Sequence, residues 1–491
     1  MPSFPPSRRA FLSRTLVPLL ALPALGRSAV PGALEPLTET RAPSVTSGTP
    51  GMPVWITDLG ARPGTEEVCT AIIQRAIDHC HGQGGGTVVI PPGVFTTGTL
   101  RLRSFVCIDL APGAVLRGSL ALSDYPVQPT PAYRSLKDSA GFRALIYAEG
   151  EERIAVVGQG TLDGRGEAFP FGGNDLDGRP RLLQFVSCKG VRVEGLRLRN
   201  SALWMQHYLN CEQVQVRGLE VWNHANRNND MIDIDGCRQV TVSDCVGDTD
   251  DDGITLKSTG PAPCENVVIT NCVISSRCNA IKCGTESTGG FRNVAISNCV
   301  VKPTVATTGF YGFPEGICGI ALEIVDGGRL EGVVISNVTI EGTRVPFFIR
   351  LGNRARRHHP DAPKPGLGVL RDVLIQNVLV RGAGALGSSI TGLPGHRVEQ
   401  VRMNGVTVHL AQPGEAADVG RTVEERERDY PEASMWGRLP ACGFYVRHAS
   451  QIRFRDVVVV PAAGEPRPLL VTDDVVRSPD LACEAPPPAD A

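Results

Sequence analysis

The sequence predicts an all-β protein built as a parallel β-helix, a solenoid in which each turn of the chain forms one coil. Short apolar runs recur along the chain, and each ends in Asn, Asp or Gly. Turn-forming residues are abundant, with 55 Gly and 38 Pro among 491 residues, whereas aromatic residues make up only 5%. Short strands separated by turn signals at a regular spacing are typical of such solenoids.

The N-terminal 51 residues predict an export signal followed by a linker, and not a part of the folded domain. Residues 1–28 have a twin-arginine pattern at Arg8-Arg9, an apolar stretch from Leu16 to Leu25 and small residues before a cleavage point. The apolar stretch is too short for a lasting membrane anchor. We therefore expect a periplasmic or secreted protein whose mature form has no membrane segment. Residues 29–51, rich in Pro, Ser, Thr and Gly, predict a disordered linker.

One helix is expected near the start of the β-helix domain, which we place at residues 52–475. Apolar side chains at Val68, Ile72 and Ala76 have helical spacing, and the pattern continues to His79. Gly82 and the following glycine run end it. Such a helix would cover the open N-terminal end of the coils, where strand edges need protection. Residues 476–491 predict a disordered tail.

The coils are read from the recurring runs. These begin at Val191, Val214, Val240, Val267, Val294, Val333, Val373 and Val401. The starts are 23, 26, 27, 27, 39, 40 and 28 residues apart. The shorter intervals accommodate three strands each, whereas a propeller blade needs about 40 residues. The two long intervals predict coils with loop insertions, near Pro303–Gly316 and Phe347–Gly366, in a solenoid of about ten coils. The Asn or Gly after each run tolerates the left-handed backbone of a sharp corner.

Charge and cysteine usage narrow the classes of partner. The 49 basic and 51 acidic residues give no support for nucleic-acid binding or for a polybasic membrane protein, and we expect a monomer. Several of the 15 cysteines recur at matching places, including Cys245, Cys272 and Cys299. An oxidising compartment permits disulfides, but a buried stack of small side chains is the favoured interpretation. Cys278 and Cys283 lack partners at a zinc-binding spacing.

Three aspartates form the candidate catalytic centre. Asp230 lies 21 and 22 residues before Asp251 and Asp252, which is about one coil. Residues one coil apart stack roughly 4.8 Å from each other, so we expect these carboxylates to cluster. Crowded carboxylates do not all ionise, and one then serves as an acid near neutral pH. An acid beside a base is what hydrolysis of a glycosidic bond requires.

Further motifs resemble known families. Trp55–Ala61 and Gly85–Gly93 look like the N-terminal segment of the pectate-lyase-like β-helix superfamily. Gly158–Gly164 and Ala202–Gln206 resemble glycoside hydrolase family 28, which comprises polygalacturonases and rhamnogalacturonan hydrolases. The resemblance extends from about residue 52 to 460, and the spacing of the aspartates is its most specific part.

This resemblance implies a right-handed coil and an inverting hydrolase that acts on an α-linkage in a pectic or related plant polysaccharide. It also implies that the enzyme uses no metal and no other cofactor. It assigns Asp251 as the general acid and the pair Asp230 and Asp252 to the attacking water. The substrate partner would be a poly- or oligosaccharide.

The chain departs from the family where the substrate is bound. Asn279 stands at the position of a family histidine, and Ala321-Leu322-Glu323 aligns with an Arg-Ile-Lys motif that grips a substrate carboxylate. The candidate substrate-binding residues are therefore Asn279, Lys282, Glu323, Arg350 and Trp436. Lys282 and Arg350 are candidates for sugar contacts, Glu323 for a neutral hydroxyl and Trp436 for stacking on a sugar ring.

Two other functions remain open from the sequence. A polysaccharide lyase on the same scaffold would use calcium held by carboxylates, and the run Asp250-Asp251-Asp252 offers such ligands. A non-catalytic carbohydrate-binding β-helix would need no crowded carboxylates. The two insertions also suggest a groove closed at one end, which would favour cleavage at chain ends.

Overall fold

The computed structural model describes residues 52–64, 66–128, 142–169 and 178–486. The expected export signal, the linker at 29–51 and residues 487–491 lie outside the described residues. Within them, strands dominate, and the α-helix α1 spans Thr70–Gly82. Short 3-10 turns occur at Ile56–Leu59, Leu122–Asp124, Gly166–Ala168 and Ala416–Asp418. No helix in the described part of the chain combines the length and apolarity needed to cross a membrane.

The strands are short in the first coils and longer towards the C-terminus. The first sixteen are β1 Val54–Trp55, β2 Gly86–Ile90, β3 Gly93–Thr97, β4 Leu100–Arg101, β5 Val106–Leu110, β6 Ala114–Gly118, β7 Ala144–Glu149, β8 Glu152–Gly158, β9 Thr161–Asp163, β10 Arg181–Val186, β11 Lys189–Glu194, β12 Arg197–Arg199, β13 Gln206–Leu209, β14 Glu212–Arg217, β15 Glu220–Asn223 and β16 Ile232–Asp235. The others are β17 Arg238–Ser243, β18 Val246–Thr249, β19 Ile254–Ser258, β20 Cys264–Thr270, β21 Val273–Ser276, β22 Asn279–Ser287, β23 Gly290–Val301, β24 Cys318–Ile324, β25 Arg329–Glu341, β26 Val345–Leu351, β27 Val369–Ala383, β28 Ser388–Thr391, β29 Val398–Leu410, β30 Phe444–Ser450, β31 Arg453–Val460 and β32 Leu470–Val476.

These strands stack in parallel ladders, one strand of each ladder per coil. The first ladder contains β4, β7, β10, β13, β16, β19, β22, β24, β26, β28, β30 and β32. A second ladder runs from β1 through β2, β11 and β20 to β31. A third starts at β3 and joins the long strands from β23 onward. The predicted parallel β-helix is confirmed, with twelve strands in the first ladder rather than about ten.

The register read from the sequence is the register of the second ladder. Val191 pairs with Val214, and Val214 with Val240. The same column continues coil by coil to Val373 and Val401. The two long intervals are coils with insertions, as predicted, because the chain leaves the ladders between β23 and β24 and between β26 and β27.

Corners between the second and third ladders use left-handed backbone. Asn298, Asn337 and Asn377 have φ values of 55°, 55° and 52°. The amide of Asn337 donates to the side-chain oxygen of Asn298 at 3.2 Å, and Asn377 donates to Asn337 at the same distance. Asparagine tolerates this conformation better than most residues, and the stacked amides satisfy one another.

The interior is a continuous column of Val, Ile and Leu, and the recurring cysteines belong to it. Cys245, Cys272 and Cys299 are buried at equivalent corners of three coils, and all fifteen cysteines carry free thiols. The favoured stack therefore describes them better than disulfides do.

The terminal elements differ in detail from expectation. The helix starts at Thr70, and it buries Ile73, Ala76, Ile77 and Cys80 against the first coils. The helix therefore buries Ile73 rather than the expected Ile72. Val68 lies outside the helix and forms a β-bridge with Thr96. Residues 477–486 lie along β31, where the amide of Glu484 donates to the carbonyl of Val457 at 2.8 Å, so the ordered chain extends beyond residue 475.

Candidate active site

The three aspartates meet where the chain enters two adjacent strands of the first ladder. Asp230 precedes β16, and Asp251 and Asp252 precede β19, whose Ile254 pairs with Ile232 of β16. One oxygen from each of the three carboxylates can be chosen so that these atoms all lie within 4.8 Å of one another. The proximity predicted from the coil length is therefore confirmed.

Buried amides and hydroxyls hold the backbone at these turns. The side-chain amide of Asn229 donates to the carbonyls of Ser201 and Leu203 at 2.9 and 3.0 Å. Asn223 donates to the carbonyl of Asp230 at 3.0 Å, and the hydroxyl of Ser276 donates to the carbonyl of Asp251 at 2.6 Å. The bonds from Asn229 and Ser276 tie neighbouring coils together, and the bond from Asn223 closes the turn between β15 and β16. The carboxylates are therefore held by the solenoid backbone.

The environments of the aspartates drive their pKa values apart. Burial and the charge of Asp252 raise the pKa of Asp251 to about 7. Burial, together with the charges of Asp233 and Asp251, also raises the pKa of Asp230 well above its ordinary value. Burial opposes ionisation of Asp252 too, but Lys282 and Lys257 outweigh it and lower its pKa. The cluster therefore contains an ionised carboxylate beside protonated ones, which is the arrangement that acid and base catalysis needs.

Asn279 and Lys282 contact a candidate catalyst directly. The side-chain amide of Asn279 donates to Oδ1 of Asp252 at 2.7 Å, and its backbone amide donates to the same oxygen at 3.1 Å. The ammonium of Lys282 lies 2.9 Å from Oδ2 of Asp252. Asn279 keeps a buried side-chain oxygen without a hydrogen-bond partner. Both predicted substrate-binding residues thus belong to the centre, where their first contact is with Asp252.

Lys257 is a central residue that sequence reasoning missed. Its ammonium lies 3.3 Å from Asp233, 3.8 Å from Asp230 and 3.7 Å from Glu286. It also lies 4.6 Å from the centre of the Trp204 ring. Strand alternation was the available signal, since Lys257 is two residues after Thr255, and both face outward from the core-facing Leu256.

Glu323 lies in the groove wall one coil beyond Lys282. Ala321 pairs with Lys282, and Glu323 follows on the same outer face two residues later. Its side chain is buried, and Oε2 has no hydrogen-bond partner. Burial raises the pKa of Glu323 to about 8, although Lys282 opposes the shift.

Arg350 and Trp436 are not available to a sugar, contrary to expectation. Arg350 is 2% exposed, and its guanidinium donates to the carbonyls of Gly392 and Glu425 at 3.2 and 2.7 Å. Trp436 is 7% exposed, packs 6.1 Å from the ring of Phe348, and donates through Nε1 to a carbonyl. Both residues were expected to face the groove because they follow apolar runs or occupy a long loop. They instead fasten that loop to the sheet.

We call this loop, residues 411–443, the cover segment. Its Val423, Ala433, Trp436 and Leu439 form an apolar cluster with side chains on the outer face of the first ladder, including Phe348. The hydroxyl groups of Tyr430 and Thr285 are 3.1 Å apart. The cover segment therefore closes the groove on the C-terminal side, one to two coils beyond the aspartates.

Tyr430, rather than Trp436, is the exposed aromatic residue of the cover segment near the site. It is 53% exposed, and its ring centre lies 5.9 Å from the ammonium of Lys282 and 5.9 Å from the guanidinium of Arg354. Arg354 is itself paired with the buried Asp326. An exposed aromatic ring beside the centre provides a surface on which a sugar ring packs.

The first of the two insertions, residues 302–317, forms another wall. The backbone amides of Phe310 and Tyr311 donate to the carboxylate of Asp250 at 2.8 and 3.2 Å. Thr304 donates to Asp248, which also accepts a bond from His224 at 2.9 Å. Asp248 and Asp250 therefore anchor this wall, which explains why four acidic residues crowd into one turn while only two face the groove.

The aspartate cluster has the donor set that a hard divalent cation prefers, but its surroundings fit a cation poorly. Carboxylate oxygens from Asp230, Asp251 and Asp252 converge. The ammonium groups of Lys257 and Lys282, however, already lie 3.8 Å from Asp230 and 2.9 Å from Asp252. These two ammonium groups already balance part of the negative charge of the carboxylates, which makes the cluster a poor match for the calcium ion of the lyase alternative.

A parallel β-helix with crowded carboxylates beside a walled groove defines a class of carbohydrate-active protein. The model of the glycosyl hydrolases family 28 matches residues 80–413, which is about two thirds of the chain. The chain belongs to this family, as the sequence motifs indicated. The match lends no support to the lyase alternative.

Relatives agree with this membership. A probable polygalacturonase of Vitis vinifera is 28% identical over 214 residues, which is 41% of this chain and 44% of the relative. An exo-poly-alpha-D-galacturonosidase of Dickeya chrysanthemi is 29% identical over 178 residues, 33% of this chain and 28% of the relative. The chain thus matches about half or less of the length of these relatives.

Solved structures show the same fold. A family 28 exopolygalacturonase of Yersinia enterocolitica superimposes with a TM-score of 0.64 at 19% identity, covering 87% of this chain and 77% of the other. An exopolygalacturonase of Thermotoga maritima gives 0.62 at 24% identity, covering 74% and 88%. A surface adhesin of Streptococcus pneumoniae gives 0.56 at 12%, covering 86% and 91%. The fold alone therefore does not separate enzymes from binding proteins, and the site must do so.

Proposed function

We propose that this protein is an exported glycoside hydrolase that cleaves an α-glycosidic bond in a pectic or related plant polysaccharide with inversion of configuration. The observation that carries the proposal is the convergence of Asp230, Asp251 and Asp252 within 4.8 Å in a member of family 28. The names of the relatives support the substrate class, and the twin-arginine pattern supports export.

The pKa values support distinct roles for the carboxyl groups. Asp251 has a pKa of about 7, so it is mainly protonated below that pH and can protonate the departing glycosidic oxygen. Asp252 is kept ionised by Lys282 and Lys257, and it accepts the proton of the attacking water. Asp230 orients that water, and the ammonium group of Lys257 forms ion pairs with Asp230 and Asp233.

The close spacing of the carboxylates is unusual for inversion. Inverting enzymes commonly separate acid and base by roughly 6.5–9.5 Å, and retaining enzymes by about 5–5.5 Å. That rule assumes two carboxylates, one on each face of the sugar. Here a third is present, and we propose that Asp252 and Asp230 share the water while Asp251 serves the leaving group. Proton NMR of the first product formed tests this role, since retention of the anomeric configuration would contradict it.

The experiment that tests the function is a screen of the purified protein against pectic and related polysaccharides. New reducing ends and ultraviolet absorbance of unsaturated uronates are read together, with Asp251→Asn as the matched control. We expect reducing ends without absorbance, and their loss in the variant. Calcium-dependent absorbance would replace the proposal with a lyase, and carbohydrate binding without cleavage would replace it with a binding protein.

A further inference from the structure

The tip of the first insertion carries an exposed aromatic side chain. Phe310 is 49% exposed. Within the described part of the chain, no cation or second aromatic ring stacks on it. Phe313 in the same loop is also exposed, but the guanidinium of Arg344 lies 3.8 Å from the centre of its ring. Single exposed apolar side chains are common on protein surfaces, so the exposure of Phe310 acquires meaning only from its support and its position.

Two buried charged residues hold the backbone that carries Phe310. The carboxylate of Asp250 accepts a hydrogen bond from the backbone amide of Phe310 at 2.8 Å. The guanidinium of Arg277 donates to the carbonyl of Tyr311 at 2.9 Å and lies 3.6 Å from Asp250. Gly312 packs so closely on Arg277 that a Cβ there would overlap it. Burying charged groups is costly unless they are paired and hydrogen-bonded, and here the loop backbone completes the pairing. The backbone position of Phe310 is therefore fixed before any ligand binds.

The tip lies along the corner at which the aspartates enter the first ladder. Its backbone contacts Asp250 in the turn before β19 and Arg277 in the turn before β22. The ring of Tyr311 lies 5.6 Å from the guanidinium of Arg227, in the turn before β16. The turns before β16 and β19 also carry the three aspartates of the centre. The tip therefore borders the groove beside the aspartates and extends over three successive coils towards the N-terminus.

This position lies on the path of a polymeric substrate. The cover segment closes the groove on the C-terminal side, so further sugar units of a bound polymer run towards the N-terminal coils and pass the tip. The apolar face of a sugar ring packs on an exposed aromatic ring. An aromatic residue on a backbone that is already fixed loses little conformational freedom on binding, so more of the contact energy is available for affinity.

We propose that Phe310 is a sugar-binding residue, on whose ring a glycosyl unit of the bound polysaccharide stacks at the edge of the groove, and that Asp250 and Arg277 hold it there. This inference rests on the proposed function and adds a binding contact to it. The contact involves a ring face and no proton transfer, so it should strengthen substrate binding without changing the acid and base steps.

Affinity electrophoresis of the full-length Asp251→Asn protein, in native gels that contain pectin, tests the inference without turnover. Retardation over a range of pectin concentrations gives the dissociation constant. Adding Phe310→Ala should raise this constant about three- to tenfold, because the stacking contact is lost. Phe310→Trp keeps an aromatic face and should bind at least as tightly as the Phe310 protein. Phe313→Ala removes the same kind of side chain from the same loop, and it should leave the constant unchanged.

Three results would overturn the inference: an unchanged constant in Phe310→Ala, an equal loss of affinity in Phe313→Ala, or no retardation of the Asp251→Asn protein by pectin. The exposed ring of Phe310 contributes little to folding, so the melting temperature should not change. If it does fall, Phe310→Leu replaces the alanine variant and should show the same loss of affinity. The polysaccharide screen tests hydrolysis separately, so cleavage of pectin together with an unaffected Phe310→Ala variant would reject the inference and leave the proposed function standing.

Discussion

At the scale of single residues, two lysines organise the chemistry of the centre. Lys257 lies beside Asp230 and Lys282 beside Asp252. The two lysines lower the pKa of Asp252, while burial raises that of Asp251. The separation of these pKa values creates a window in which one group is protonated and the other ionised. Coupled carboxylates titrate as a set, so the window belongs to the cluster as a whole.

The pH dependence of kcat/KM follows from the directions of these shifts. Activity requires protonated Asp251, so it should fall as pH rises through about 7. It also requires ionised Asp252, whose pKa is lowered from its ordinary value of 3.8, so activity should persist until the pH falls below that value. Initial rates across this range give both limbs. Asp251→Asn has no carboxyl proton to donate, so it should abolish activity, and a folded variant that kept activity with an unchanged basic limb would contradict the assignment.

Removing Lys282 should shift the acidic limb of the pH profile of kcat/KM. Lys282→Met deletes the cation 2.9 Å from Asp252, so the pKa of Asp252 rises and the acidic limb shifts upward by about one pH unit. The same change at Lys189, an exposed residue of β11, is the control. An unchanged acidic limb in folded Lys282→Met would show that Lys282 does not set the charge of Asp252.

At the scale of elements, the cover segment is fastened by buried residues and presents an exposed one. Trp436 and Arg350 hold it to the sheet, and Tyr430 faces the groove. The same loop therefore has a structural part and a substrate-facing part, which substitutions can separate.

Trp436→Ala should lower the stability of the protein, whereas Tyr430→Ala should weaken substrate binding. Trp436 is 7% exposed, so its truncation should destabilise the protein by about 3–5 kcal/mol, or locally detach the cover segment. Tyr430 is 53% exposed, so its truncation should leave the melting temperature nearly unchanged while raising KM several-fold. Thermal denaturation and initial-rate kinetics measure the two quantities. A raised KM in Trp436→Ala with an unchanged melting temperature and intact cover segment would mean that Trp436 contacts substrate after all.

The position of the cover segment also predicts the products. Since it closes the groove one to two coils beyond the aspartates, only one or two sugar units fit on that side. We expect short products from the first minutes of digestion, with little loss of polymer viscosity. Chromatography of a time course checks this, and early release of products of many sizes would show that the groove is open.

At the scale of the whole molecule, the proposed export depends on residues that precede the β-helix. Replacing Arg8 and Arg9 by lysine should block transport through the twin-arginine pathway and leave active, folded protein in the cytoplasm. Cell fractionation followed by an activity assay measures this. Unchanged export of the variant would point to another route.

Light scattering of the mature protein tests the expected monomer.

The sequence by itself determined the solenoid, its register and the meeting of the aspartates. The column from Val191 to Val401 and the left-handed corners at Asn298 and Asn337 were readable because each coil repeats the same local requirements. In a solenoid, residues one coil apart in sequence are neighbours in space. A spacing of 21 residues between Asp230 and Asp251 therefore translated directly into proximity.

Only the tertiary structure decided which side chains face the groove. Tyr430 meets Thr285 across 145 residues of sequence, and no repeat predicts such a contact. The same long-range packing buried Arg350 and Trp436 beneath the cover segment. Insertions leave the period of the coils, so their positions depend on side-chain packing and hydrogen bonds between distant segments rather than on spacing along the chain.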